Sequence, residues 1–300
     1  STGLIGSSLV ERFQSENHEV TRLVRDRSET GENAVYWSPA EQEIDRDGLA
    51  GHDAVVHLAG EPIFGRWTDE KKARIRRSRV GGTRLLSRTL AELETPPRVI
   101  ASASAVGYYG DRGEEWLDET SQPGRGFLAE VAREWEMATE AASRKGIRVA
   151  RMRFGVVLSA QGGALAAMLL PFRLGLGGVL GSGEQFMSWI ALDDLVDAIL
   201  HALNTQGMSG PVNTVAPFPV TNRTFTKTLG KVLNRPTFFR VPAFAARLAL
   251  GEMADEALLA SVRARPARML ESGFTYRFRE LEPALRHLLN REESNGESPE

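Results

Sequence analysis

The 300-residue chain contains no cysteine. That excludes a disulfide scaffold, a thiolate zinc site and a cysteine nucleophile. It also lacks an excess of charge of either sign: 37 Lys and Arg stand against 39 Asp and Glu, a formal net charge of -2. The arginines are interleaved with carboxylates, as on a solvated surface, which points to neither nucleic acid nor an acidic membrane as partner. No apolar run approaches the roughly 18–20 residues that span a bilayer. No signal peptide is visible, so a cytoplasmic address is the default expectation. The five histidines are scattered without metal-ligand spacing, so no metal is expected. Lysine is scarce: Lys71, Lys72, Lys145, Lys227 and Lys231 are all there are. The chain opens with STGLIG at 1–6, a glycine turn with neither a methionine nor a strand before it. In a dinucleotide-binding fold a central strand feeds such a turn, so at least one further strand is expected upstream of Ser1.

What is present, 42% hydrophobic and 25% charged residues, is ordinary globular composition. Through the first two-thirds, short β-rich runs alternate with amphipathic helical stretches, the pattern of a parallel sheet with crossover helices. Helices are expected over 7–14, 69–93, 126–144, 193–203, 222–233, 243–250 and 280–289. Strands are expected over 19–24, 53–59, 98–103 and 147–154. His57, inside the apolar run at 53–59, reads as a hydrogen-bonded core residue. Asp193 and Asp194 open a helix, where capping is their simplest use. The fold class is α/β, a doubly wound parallel-sheet Rossmann fold with a small, mostly helical C-terminal substrate or cap region. Residues 1–155 form the nucleotide-binding body, 156–290 complete it and form the cap, and 291–300 read as a disordered polar tail.

Gly3 and Gly6 stand three apart at the mouth of a helix, a spacing that lets backbone N–H groups approach a pyrophosphate closely. Such a pair also occurs in plain turns. The strand ending about 20 residues later strengthens the cofactor reading. A carboxylate there would hold the ribose 2′-hydroxyl of NAD; this chain has Val24 and Arg25. An arginine suits a 2′-phosphate, so NADP(H) is the expected cofactor, with a plain surface arginine as the alternative.

Four segments, in this order and spacing, resemble the extended short-chain dehydrogenases, which include the nucleotide-sugar epimerases: GLIG at 3–6, DAVVHLAG at 53–60, GTRLL at 82–86 and SASAVGYYG at 102–110. The sequence is more similar to an atypical branch called the epimerase family, or nucleoside-diphosphate-sugar epimerases, through LAGEPI at 58–63, SAVGYYGD at 104–111, GSGEQFMSWI at 181–190 and a C-terminal module containing PVTNR at 219–223. The resemblance covers essentially the whole chain to about Leu289. It implies cofactor contacts from Thr2, Gly3, Leu4, Ile5, Gly6, Leu58, Ala59, Gly60, Arg79 and Phe154, with Arg25 beside them. Ser104 would take the catalytic serine position. Glu61, Arg153, Gln185, Met187, Ser188 and Trp189 would face a small, unidentified substrate, although a tryptophan is more often core.

The usual chemistry of these enzymes also needs a tyrosine and, four residues on, a lysine. The helix that should carry them reads GFLAEVAREWE at 126–136. Phe127 with Val131 is one register, Leu128 with Ala132 the other, and none of the four can transfer a proton. Three readings stay open. Tyr108 or Tyr109 replaces the missing acid, with Arg79 or Arg153 easing proton loss. The site binds its cofactor with little or no turnover, as a redox sensor or scaffold. Or Glu61, or the substrate itself, serves as acid and base. The plain alternative for Tyr108 and Tyr109 is aromatic packing.

Overall fold

The computed structural model describes residues 2–291. Apart from Arg291, which is exposed, the polar tail lies outside the described residues. In chain order the body holds α1 (Leu4–Ser15), β1 (Arg22–Val24), β2 (Ala34–Ser38), β3 (Glu43–Ile44), β4 (Ala54–His57), α2 (Asp69–Arg76), α3 (Gly82–Glu92), β5 (Val99–Ala105), β6 (Trp116–Leu117), α4 (Phe127–Met137), α5 (Glu140–Arg144) and β7 (Arg148–Phe154). Then come β8 (Val156–Leu158), α6 (Gly163–Arg173), β9 (Gly178–Leu180), β10 (Phe186–Met187), β11 (Trp189–Ala191), α7 (Leu192–Asn204) and β12 (Gly210–Thr214). The last part holds β13 (Val220–Thr221), α8 (Asn222–Leu233), β14 (Phe239–Val241), α9 (Ala243–Leu250), β15 (Arg263–Ala264), α10 (Ala267–Glu271) and α11 (Leu281–Leu288).

Four parallel strands in the order β12-β7-β5-β4 make the central sheet. β5 reads VIASASA and is buried along nearly its whole length, as expected of a strand covered on both faces. On one face Leu9 of α1 packs with Ile199 and Leu195 of α7 over Ala101, Ala150 and Met152. On the other, Leu86 and Leu90 of α3 and Ala142 of α5 pack over Ile100 and Val149. The result is the three-layer α/β/α arrangement read from the alternating pattern. A second ladder, β1-β2-β3, is hydrogen-bonded separately from the central sheet.

Local chemistry explains where the observed elements depart from expectation. The helix expected over 69–93 is continuous, but Arg77–Gly81 widens into a π turn between α2 and α3. The helix expected over 126–144 breaks after Met137, where the Thr139 hydroxyl donates to the Glu136 carbonyl at 2.7 Å. Asp193 and Asp194 do not cap α7, whose first residue follows Ala191 without any side-chain cap. Asp194 is fully buried and accepts the backbone N–H groups of Arg277 (2.7 Å) and Phe278 (3.0 Å), while Asp193 pairs with His287.

Beyond Phe154 the expected helices appear as α7, α8, α9 and α11, with short strands between them. Two-stranded ladders join β8 to β11, β9 to β14, β10 to β13 and β15 to β6. A second core fills this half, with Leu165 and Leu169 of α6, Trp189, Phe225 and Leu229 of α8 and Leu285 of α11. Among the described residues no helix is long and apolar enough to cross a membrane.

Candidate functional site

The groove that opens at the N-terminus of α1 gathers Thr2, Gly3, Leu4, Ile5, Gly6, Arg25, Leu58, Ala59, Gly60 and Glu61 on one surface. Gly3 stands at the N-cap with no side-chain cap and no acid in the first turn, so the first N–H groups of α1 remain available. A side chain at Gly3 would meet nothing within 4 Å, which leaves the approach open. The two arginines after β1 are used differently. Arg27 is tied to Glu43 at 2.6 Å and lies over the Tyr36 ring. Arg25 is exposed and has no carboxylate partner among the described residues. Asp26, the nearest acid, is turned away as the cap of its own short turn, and its bonds to Ser28 hold its carboxyl below the usual range.

The π turn aims two side chains at the loop after β4. Ser78 accepts the Glu61 N–H at 2.9 Å, and Arg79 Nη1 donates to the Glu61 carbonyl at 2.9 Å. A Cβ at Gly60 would stand 3.3 Å from the Arg79 guanidinium carbon, so this position accepts only glycine without a shift. Burial lowers the Arg79 pKa to about 10, still cationic at neutral pH. Below it, Thr83 of α3 receives the Trp135 indole N–H at 2.8 Å and bonds His57 Nε2 at 2.9 Å. His57 is therefore the hydrogen-bonded core residue expected, and burial pulls its pKa to about 4. The Glu61 side chain is bound by Lys71 at 2.9 Å, with Arg74 at 3.5 Å. Those cations hold its carboxyl below the usual range, so at neutral pH it has no proton to give.

At the carboxyl end of β5 lies a buried polar chain. Ser104 Oγ donates to Glu136 Oε1 at 2.8 Å. Arg153 clasps the same carboxylate with Nε and Nη2, at 2.7 and 2.9 Å, and its Nη1 donates to the Tyr109 hydroxyl at 2.9 Å. That hydroxyl in turn lies 2.7 Å from Asn213 Oδ1 and 2.8 Å from the Asp118 carbonyl. Tyr109 is fully buried and burial pushes its pKa up to about 12. Its hydroxyl is enclosed by protein groups. Tyr108 is half-buried, its ring lies 3.5 Å from the Arg153 guanidinium, and its hydroxyl has no partner among the described residues. Glu136 escaped the sequence reading. Its signal is an acid on the apolar face of α4, beside the buried Ala132 and Trp135.

The start of α4 has no tyrosine or lysine in either register. Phe127 packs edge-on to Trp67 at 5.2 Å, Leu128 lies over Gly107, and Val131 and Ala132 are buried. A carboxylate from far along the chain caps it instead: Glu256 accepts the N–H groups of Phe127 and Leu128, both at 2.7 Å. Gly126, at φ +102, makes room, because a side chain there would strike Glu256 at 2.7 Å.

The expected substrate segment divides. Trp189 is fully buried, its indole N–H donating to the Phe218 carbonyl, so it belongs to the core. Ser188 donates to the Val262 carbonyl and accepts the Ala264 N–H, and Gln185 donates to the carbonyls of Leu180 and Leu258. Both are buried stitches to the C-terminal segment rather than free pocket walls. Met187 packs against the second core, and Phe154 and Leu58 pack against the first.

Comparison with known proteins agrees with this geometry. Residues 1–215 match the model of the NAD dependent epimerase/dehydratase family, and residues 241–288 match a domain of unknown function, DUF1731. An epimerase family protein of Mycobacterium leprae is 40% identical over 296 residues, covering 98% of this chain and 95% of that protein. The crystal structure of the human epimerase family protein SDR39U1 (isoform 2) with NADPH superposes with a TM-score of 0.87 at 33% identity, over 96% of this chain and 97% of that one. A nucleoside-diphosphate sugar epimerase from Corynebacterium glutamicum gives 0.79 at 39% identity, over 96% of this chain and 56% of that one. With residues 1–215 matched by the family model and a relative 40% identical over nearly the whole length of both chains, the chain belongs to the NAD dependent epimerase/dehydratase family.

Proposed function

We propose that this protein binds NADP(H) and acts as an NADP(H)-dependent oxidoreductase or epimerase-like enzyme on a small substrate. The observation that carries the reading is the uncapped N-terminus of α1 facing the same groove as Arg25, in a chain whose human relative was crystallised with NADPH. In this reading the α1 N–H groups hold the diphosphate, Arg25 pairs with the 2′-phosphate, and Leu58, Ala59 and Gly60 lie along the cofactor with Arg79 beneath them. The bound cofactor supplies hydride transfer. Ser104, its own proton committed to Glu136, accepts a hydrogen bond from a substrate hydroxyl. Tyr108, with a cation against its ring, is the group left to move a proton.

A second reading is favoured by one observation: every position that should carry the tyrosine or lysine is apolar and packed. The protein then binds NADP(H) without turnover, as a redox sensor or scaffold. Calorimetric titration with NADPH and NADH tests the shared premise. Tight NADPH binding is expected, and Arg25→Asp should weaken NADPH relative to NADH by about 1–3 kcal/mol. Equal losses for both cofactors would remove Arg25 from this role. Absence of NADPH oxidation across a broad panel of carbonyl substrates would favour the non-catalytic reading.

A further inference from the structure

Among the described residues, eight of the thirteen large apolar side chains that are exposed fall in two stretches, 170–176 and 238–248. Leu170 and Leu174 lie one turn apart at the end of α6, and Leu176 follows them. Phe238, Phe239 and Val241 run through β14 into α9, where Phe244 and Leu248 again lie one turn apart. The pairing of β14 with β9 joins these pieces, as does a 2.8 Å bond from Arg235 Nε to the Arg173 carbonyl. Phe238 is 89% exposed, Phe244 69% and Leu248 75%. At about 200 Å² per phenylalanine, the three rings alone present on the order of 400 Å². The five aliphatic side chains carry the face past the roughly 300–600 Å² of the largest patch on an ordinary monomer.

Charge within the two stretches themselves is one-sided, although the exposed Glu252 and Asp255 follow directly after α9. Segments 167–181 and 234–250 contain Arg173, Arg235, Arg240 and Arg247 and not one Asp or Glu. Arg247 is paired with Asp255, whereas the other three are exposed and have no carboxylate partner among the described residues. That pattern disfavours a second copy of this chain. Antiparallel pairing of β14 with its own twin about Arg240 would set two guanidinium groups opposite each other. It suits instead a surface that offers anionic oxygens above an apolar layer.

Against the expectation drawn from the overall charge, we propose that this face seats the protein on a bilayer containing anionic lipid. The phenylalanine and leucine side chains enter the interface, and Arg173, Arg235 and Arg240 meet the headgroup phosphates. The docking is peripheral and independent of whether the site turns over a substrate.

Cosedimentation with vesicles tests it. The protein should pellet with vesicles of phosphatidylcholine and roughly one-third phosphatidylglycerol, on the order of 100-fold more tightly than with phosphatidylcholine alone, and added salt should weaken the binding. Arg173→Glu with Arg240→Glu should abolish the preference for the anionic vesicles. Phe238→Ser with Leu248→Ser should weaken binding to both kinds, while circular dichroism and NADPH affinity show that each variant is folded. Failure to pellet with the anionic vesicles, or equal binding to both kinds, would overturn the proposal. So would a dimer, seen by analytical ultracentrifugation, that Phe238→Ser dissolves, because the face would then belong to a second copy.

Discussion

At the scale of single residues, two neighbours in sequence use their hydroxyls differently. Tyr109 spends its hydroxyl on Arg153, Asn213 and Asp118, whereas Tyr108 keeps its own free above the same guanidinium. Tyr109→Phe should therefore cost about 1–3 kcal/mol of stability, read by urea unfolding, because buried partners are left unsatisfied. Tyr108→Phe should leave stability and NADPH affinity intact and remove turnover; retained turnover would discard Tyr108 as the proton donor. His57 carries a pH dependence. Its folded pKa, about 4, lies below the ordinary value of 6.5, so the folded state resists the proton that the unfolded chain accepts. The stabilisation is complete above pH 6.5 and is lost as pH falls towards 4. Between pH 7 and pH 5 the loss should be about 2 kcal/mol, and His57→Asn should flatten that part of the stability profile. A sequence shows that a histidine sits in an apolar run; it does not show which hydroxyl will meet it.

At the scale of elements, periodicity revealed where helices lie but not where they bend or what caps them. The run from Asp69 to Glu92 has no glycine or proline stop before its π turn, so pattern alone could not separate the widened turn from an ordinary one. Yet that turn is what brings Ser78 and Arg79 to the 58–61 loop. The cap on α4 was equally hidden, since Glu256 comes from 129 residues away. Glu256→Ala should cost about 1–2 kcal/mol, as the loss of a helix cap does. Gly126→Ala should cost at least as much, because it combines a left-handed backbone with a clash against the same carboxylate. Thermal or urea denaturation checks both, and a neutral Gly126→Ala would show that the capping contact is not held in solution. The glycine turn, β4 and the end of β5 were legible because close backbone approach and burial on both faces restrict composition directly. The interior of the candidate site was not, because the ion pair of Glu136 with Arg153 joins α4 to β7 across a fold that had first to be known.

At the scale of the whole molecule, the two halves are woven together rather than placed side by side. β12 returns to the parallel sheet, β15 pairs with β6, and Ser188 and Gln185 hold the segment that crosses between them. This interlacing ties residues 156–290 to the first half through both ladders. It also bears on how the protein is made. Asp194 is sealed by the N–H groups of Arg277 and Phe278, so the helix that covers one face of the sheet stays incompletely closed until those residues leave the ribosome. At about 5–20 residues per second, the nascent chain therefore spends roughly 4 to 17 seconds with a bare carboxylate and an unsealed apolar seam. For that interval the seam stays open to water, and it closes only after β15, the last strand, has been made.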